Sequence, residues 1–247
     1  FLINENIISH ENVEQKENLF NPQAVKLNQD QRKATNVIKK LLSQVSPPLV
    51  LEGVTGSGKT EVFFEAVETV INKKQQVLIM VPEISLTPQL EERFLQRFGF
   101  LPDIWHSKIS DKKRKNIWHR CYEGRPSIVL GARSSLFLPF KKLGLIIVDE
   151  EHDISYKQED NIRYQARDLA IVRAQIDKAF IILSSATPSL ETQNNINKKK
   201  YMHVFLSSQF SGLDLPPIEL VDLQQHKLDK DKWISKKIYT ELKNCLI

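Results

Sequence analysis

Short runs of apolar residues recur along the chain at Leu49–Leu51, Val77–Val81, Ile128–Leu130, Leu145–Val148 and Phe180–Leu183. Each is strand-length and continuous rather than alternating, as strands covered on both faces require. Between them the apolar residues fall at helical spacing over 59–73, 87–98, 110–123 and 166–177. Strand and helix in alternation predict an α/β domain with a mostly parallel sheet and helices on both faces. Ahead of the first run, Ala34, Val37, Ile38, Leu41, Leu42 and Val45 form one stripe of a further helix. Weaker strands are expected at 202–206 and 218–222, and the C-terminal "KKIYTELKNCLI" reads as helical.

Three domains are expected: a linker or tail of a preceding domain over 1–26, the main α/β lobe over 27–200, and its end leading elsewhere over 201–247. The chain begins with Phe1 rather than Met and its last helical pattern carries no stop signal, so it reads as a piece of something longer. No apolar run is long enough to span a bilayer, and the polar N-terminus resembles no targeting segment. Two cysteines, Cys121 and Cys245, form neither a metal quartet nor a disulfide framework and suit the reducing cytoplasm. The formal net charge of +5 favours a polyanionic partner.

Chemistry concentrates at the ends of the strand runs. "GVTGSGKT", from Gly53 through Val54, Thr55, Gly56, Ser57, Gly58 and Lys59 to Thr60, fits G-x-x-x-x-G-K-[ST] between a strand and a helix. Glycines bring backbone N–H groups close to phosphate oxygens at a helix N-terminus. Lys59 would reach the β/γ-phosphates and the Thr60 hydroxyl would hold Mg²⁺. "LGLIIVDEEHD" ends a strand in carboxylates, making Asp149 the candidate magnesium partner and Glu150 the candidate base for an attacking water. Ser185, Ala186 and Thr187 end the next strand and are expected to hydrogen-bond the Asp149 cluster. His152 is expected to bridge Glu150 or the Ser185–Thr187 stretch rather than to ligate metal. Gln31 has two readings. With Asn28 as N-cap it completes a capping box, or its amide reads the edge of an adenine.

These three motifs in order resemble superfamily 2 helicases of the DExH type. "VPEISLTPQL", "WHSKISDKKRKNIW", "IVLGARSSLFLPF", "VDEEHDISYKQ", "RYQARDLA" and "SSATPSLET" narrow the resemblance to the primosomal protein N′ family of bacterial replication-restart helicases, over residues 27 to 192. The resemblance implies a RecA-like first helicase lobe using ATP and Mg²⁺, within a protein translocating 3′ to 5′ on single-stranded or forked DNA. It also implies partners among primosome and replication proteins and a second lobe of the same polypeptide, into which "VDLQQHKL" at 221–228 would lead. The family's paired zinc-binding cysteine clusters would lie outside this chain, so zinc is expected in the longer protein only. An RNA helicase, a double-strand translocase and a nucleotide-switched scaffold without turnover remain alternatives.

Nucleic acid would be gripped through backbone phosphate, with Arg133 and Ser134 of "GARSS" as candidates and Lys157, Arg163 and Arg167 beside them. The basic run "DKKRK" at 111–115 reads as a solvated helix face. The chain departs from the family at Ile162, where an aromatic is common, and at Gln165, where histidine is. Aromatic coupling between DNA and nucleotide is therefore expected to rest on Tyr156 and Tyr164. Without the second lobe, this chain is expected to be nearly inactive.

Overall fold

The computed structural model describes residues 26–44, 46–82, 87–207, 219–224, 228 and 232–245. They divide into two units between Ser211 and Gly212. The first unit contains a seven-stranded parallel sheet. Its strands are β1 (Leu49–Gly53), β2 (Gln76–Met80), β3 (Asp103–Trp105), β4 (Ile128–Gly131), β5 (Leu143–Asp149), β8 (Phe180–Ser185) and β9 (Met202–Leu206), ordered β3-β4-β2-β5-β8-β1-β9. The remaining strands, β6 (Lys157–Gln158) and β7 (Tyr164–Gln165), pair as an antiparallel hairpin of their own.

Period two along each strand sorts the apolar residues onto two faces. Leu49, Leu51, Val77, Ile79, Leu145, Ile147 and Ile182 pack under helices α1 (Gln29–Leu41), α2 (Lys59–Asn72) and α3 (Pro88–Phe98). Val50, Leu78, Met80, Ile146, Val148, Ile181 and Leu183 point the other way, against α4 (Asp111–Glu123) and α5 (Ala166–Asp177). Continuous apolar strands are thus explained by burial on both sides, and the α/β expectation holds. On α5 the sheet-facing residues are Ala166, Ala170 and Ala174, small enough to bring the helix close. Phe64, Phe94 and Phe98 lock α2 to α3, with ring centroids 4.7 and 5.2 Å from Phe64.

The sheet goes further than the pattern of apolar runs. Strand β3 at the edge and the helix α6 (Leu190–Asn197) have no counterpart in the predicted elements. Strand β9 takes up the expected 202–206 run. Residues 219–222 are not strand, and residue 218 lies outside the described residues, as does Val45 of the first helical stripe. In the second unit the described helix is α7 (Lys236–Cys245). Among the described residues no helix is long and apolar enough to cross a membrane.

Candidate nucleotide site

Strand β1 ends at Gly53, and the chain turns through exposed Val54, Thr55 and Gly56 into α2. Gly56 and Gly58 hold φ values of +79° and +81°, the left-handed region that glycine reaches at little cost. Gly58 caps α2 without any side-chain hydrogen bond to the first turn. The helix thus presents backbone N–H donors and the positive end of its dipole to the loop. The Ser57 hydroxyl is buried and has no hydrogen-bond partner among the described residues. Lys59 is buried, and its ammonium donates to the Gly53 carbonyl at 2.7 Å, arching over the loop. Uncapped backbone donors at a helix start beside a lysine ammonium fit a polyphosphate bound through its oxygens.

Gln31 braces the loop from behind. Asn28 and Gln31 form a complete capping box, and the Gln31 amide nitrogen also donates to the Ser57 carbonyl at 2.9 Å. The side chain is fully buried with both ends of its amide committed. Of its two readings the structure displays capping, and adds a brace that the capping motif does not predict. A Cβ on Gly58 would stand 2.2 Å from that amide nitrogen. Gly58→Ala is therefore expected to destabilise the fold by about 2–4 kcal/mol, from left-handed backbone and a broken buried hydrogen bond. Urea denaturation reads this directly, and an unchanged midpoint would contradict the bracing role of Gln31.

Asp149 ends β5 beside Ser184 of β8, in register, and accepts a 2.8 Å hydrogen bond from its hydroxyl. Burial raises the Asp149 carboxyl pKa above the ordinary range; the Ser184 bond and the Lys59 charge pull it back, while neighbouring Glu150 raises it further. Strand β8 lies between β5 and β1, so Asp149 and the loop after Gly53 leave the same end of the parallel sheet. Glu150 has φ +47°, uncommon for a residue with a Cβ. Backbone strain of this kind collects at functional sites. Its side chain is half-exposed. The turn at Glu150 sends Glu151 inward and leaves His152 exposed.

His152 Nδ1 lies 2.7 Å from Ser185 Oγ, a hydrogen bond, and 3.6 Å from Glu150 Oε2, too far for one. Thr187 contributes its backbone N–H, which donates to Ser185 Oγ at 3.0 Å. Ala186 stands half-buried between them. The hydroxyl on Asp149 itself is Ser184, one residue before the expected trio.

Arg167, Ser189 and Thr192 surround Glu151, a cluster that the linear reading assigned to none of them. Its fully buried carboxylate accepts from Arg167 Nη1 at 3.1 Å, the Ser189 backbone N–H at 2.7 Å and the Thr192 hydroxyl at 3.1 Å. Ser189 is also the N-cap of α6. An acidic residue directly after two candidate catalytic carboxylates, with an arginine at the start of a later helix, was the signal in the linear pattern. Arg167 is buried and bonded to Glu151, Asp168 and Ser189, which removes it from the surface contacts expected of it.

Tyr156 is likewise buried. Its hydroxyl lies 2.6 Å from the Asp149 carbonyl and 3.0 Å from that of Met80, so no base can stack on it. Tyr164 is half-buried and packs edge-on against exposed Phe137, 5.4 Å between centroids. Arg133 donates to the Ser155 and Lys157 carbonyls at 3.1 and 3.0 Å, tying the hairpin to the 3₁₀ segment Arg133–Phe137. Ser134 accepts from the Trp105 indole. Exposed Lys157 pairs with Glu159, and with exposed Arg163 it borders a cleft of about 730 Å³ that Tyr164, Asp168 and Glu191 also line. Thr60 follows Lys59 in the first turn of α2. Among the described residues no group of three or more histidine, cysteine or acidic side chains is placed to hold a metal.

This arrangement agrees with what the chain is similar to. It is 48% identical over 221 residues to replication restart protein PriA of Rickettsia prowazekii, covering 90% of this chain and 34% of that protein. Identity is 44% with the namesake of Haemophilus influenzae, over 78% of this chain and 26% of the relative, and 40% with that of Bacillus subtilis, over 81% and 25%. The chain thus spans about a third of the length of these relatives, or less. Among solved structures, RecG bound to a three-way DNA junction superposes with a TM-score of 0.55 at 22% identity, over 79% of this chain and 25% of that one. The helicase MrfA bound to DNA gives 0.52 at 15%, over 74% and 26%. Both share the fold. The DEAD/DEAH box helicase family matches residues 28–196, from the N-cap of α1 into α6, and the chain belongs to that family.

Proposed function

We propose that this chain is the ATP-binding lobe of a replication-restart DNA helicase that moves 3′ to 5′ on single-stranded or forked DNA. The observation that carries the nucleotide reading is the uncapped start of α2 beside Lys59, at the same end of the parallel sheet as Asp149. The likeness to replication restart proteins supports the pathway and, with the family, DNA as the substrate. In this reading the backbone from Gly53 to Thr60 and the Lys59 ammonium hold the phosphates. Thr60 and Asp149 would hold Mg²⁺, which neutralises charge developing on the transferred phosphoryl group. Glu150, beside Asp149 and less buried, takes the proton of the attacking water. His152 and Ser185 carry the state of that carboxylate pair to the end of β8. Single-stranded DNA lies against Ser134, Lys157 and Arg163, and replication proteins and a second lobe complete the machine.

The test is nucleotide turnover by a full-length protein carrying this segment, with single-stranded DNA, duplex DNA or RNA added. Stimulation by single-stranded DNA alone supports the proposal. Stimulation by RNA or duplex alone favours the other motors of the superfamily, and binding without turnover favours a switched scaffold. In the same protein Glu150→Gln is expected to bind MgATP almost normally yet hydrolyse it 10²–10⁴-fold more slowly, since an amide cannot take the proton (about the range of general-base catalysis). Asp149→Asn is expected to lose magnesium-dependent affinity as well. Identical behaviour of the two variants would refute the division of roles.

A further inference from the structure

A second concave surface opens at the opposite end of the sheet. It has a volume of about 460 Å³ and lies between the turn after α2 and the turn before β5. Lys73, Lys74, Lys141 and Lys142 all line it, with Phe140 and Gln75. Strand β5 runs seven residues from Leu143 to Asp149, so the basin sits about 20 Å from the carboxylate end of the site. The two are separate places.

Four ammonium groups around one hollow repel one another, and the local balance of charge shows what is missing. Asp177 is the one carboxylate on the lining, and Arg173 already holds it at 2.5 Å. Lys73 donates to the Leu42 carbonyl at 3.3 Å, which leaves its charge uncancelled. Among the described residues no carboxylate pairs with Lys74, Lys141 or Lys142. Lys73 and Lys74 follow the C-terminus of α2, where cations complement the helix dipole. Lys141 and Lys142 follow no α-helix, so the dipole does not account for them.

The backbone under the lysines is built rather than loose. Gln76 donates from its side chain to the carbonyls of Arg120, Cys121 and Arg125, and accepts from the Lys142 N–H at 2.8 Å. The Lys141 N–H donates to the Cys121 carbonyl at 3.1 Å. Gly144 lets the two turns meet, since a Cβ there would stand 2.8 Å from Gln75 and Val70. A fixed scaffold presenting mobile ammonium groups suits an extended polyanion, which lysine meets as a point charge without demanding one geometry.

We propose that this four-lysine basin binds nucleic-acid backbone phosphate, giving the lobe a second contact with DNA on the end remote from the nucleotide. It rests on the reading of the chain as part of a DNA helicase only for the identity of the polyanion. A motor gripping one strand near its ATP site gains from a second hold on the same nucleic acid, because effective concentration replaces free encounter.

The test uses the 247-residue chain and its Lys74→Gln/Lys141→Gln/Lys142→Gln variant, with labelled 20-nucleotide single strands and 20-base-pair duplexes followed by anisotropy between 50 and 200 mM salt. Each phosphate that the protein ceases to neutralise lowers the log–log salt slope by about 0.7–0.9, so the slope of the variant should fall by about 2–3. The control Lys112→Gln/Lys113→Gln/Lys115→Gln removes the same charge from the exposed face of α4 and should change the slope by less than half as much. A fall on duplex alone identifies duplex as the occupant, a fall on the single strand alone identifies the tracking strand, and a fall on both identifies phosphate irrespective of strandedness. An unchanged slope, or an equal fall in the control, overturns the proposal. MgATP binding measured on the same samples keeps the two readings apart, because the basin variant should bind nucleotide like the parent chain whatever happens to its DNA.

Discussion

Assayed beside full-length PriA of Rickettsia prowazekii, the 247-residue chain is expected to hydrolyse ATP about 10³–10⁵-fold more slowly, with little response to single-stranded DNA. That factor is what an arginine reaching the γ-phosphate contributes in phosphoryl transfer. The residues assigned to phosphate, magnesium and water are Lys59, Thr60, Asp149 and Glu150, and none of them is an arginine. In the two-lobe motors that the sequence resembles, the opposite lobe presents that arginine across the cleft. Nucleotide should still bind, weakly, through the α2 N-terminus and Lys59, so a fluorescent ATP analogue separates binding from turnover. Turnover within tenfold of the relative would place the arginine inside this chain. Arg163, exposed beside the cleft, would then be the suspect, since Arg167 is spent on Glu151.

Glu151→Ala is expected to destabilise the first unit by about 3–5 kcal/mol, the usual consequence of leaving a buried charge without its partner. The variant leaves Arg167, 6% exposed, with Asp168 as its remaining ionic partner, and takes the carboxylate acceptor away from the Ser189 N–H and the Thr192 hydroxyl. Arg167→Met is expected to fall in the same range, leaving the carboxylate of a fully buried Glu151 with only uncharged donors. Combining Glu151→Ala with Arg167→Met should cost less than the sum of the two singles, because a pair removed together leaves neither charge facing a lost partner. Denaturant titration of the four proteins reads the coupling. Additive losses would mean that the two side chains do not act as a pair.

The hub also shows why one residue in the acidic run behaves unlike its neighbours. Asp149, Glu150 and Glu151 are consecutive carboxylates with three fates. The first faces Ser184 under partial burial, the second stands half-exposed on a left-handed backbone, and the third is sealed inside. The linear reading of "DEEHD" gives Asp149 and Glu150 separate roles but does not show that Glu151 is the one sealed inside. The φ of +47° at Glu150 does, by reversing the direction in which the chain presents its next side chain.

What the sequence determined by itself is whatever depends on neighbours in the chain. The five continuous apolar runs between 49 and 183, the four helical patterns between them and the glycine-spaced loop lie where those patterns put them, whereas the weak strand expected at 218–222 is not strand at 219–222. The Asn28–Gln31 capping box was legible for the same reason, being closed within four residues. The roles decided by tertiary structure involve partners far apart in sequence. Gln31 meets Ser57 across 26 residues, Glu151 meets Thr192 across 41, and Tyr156 meets Met80 across 76. Arg167 and Tyr156 looked like surface chemistry because arginine and tyrosine often are. Folding buried both, since an unpaired carboxylate at Glu151 and unsatisfied carbonyls at the ends of β2 and β5 would have cost more than ordering the side chains that reach them.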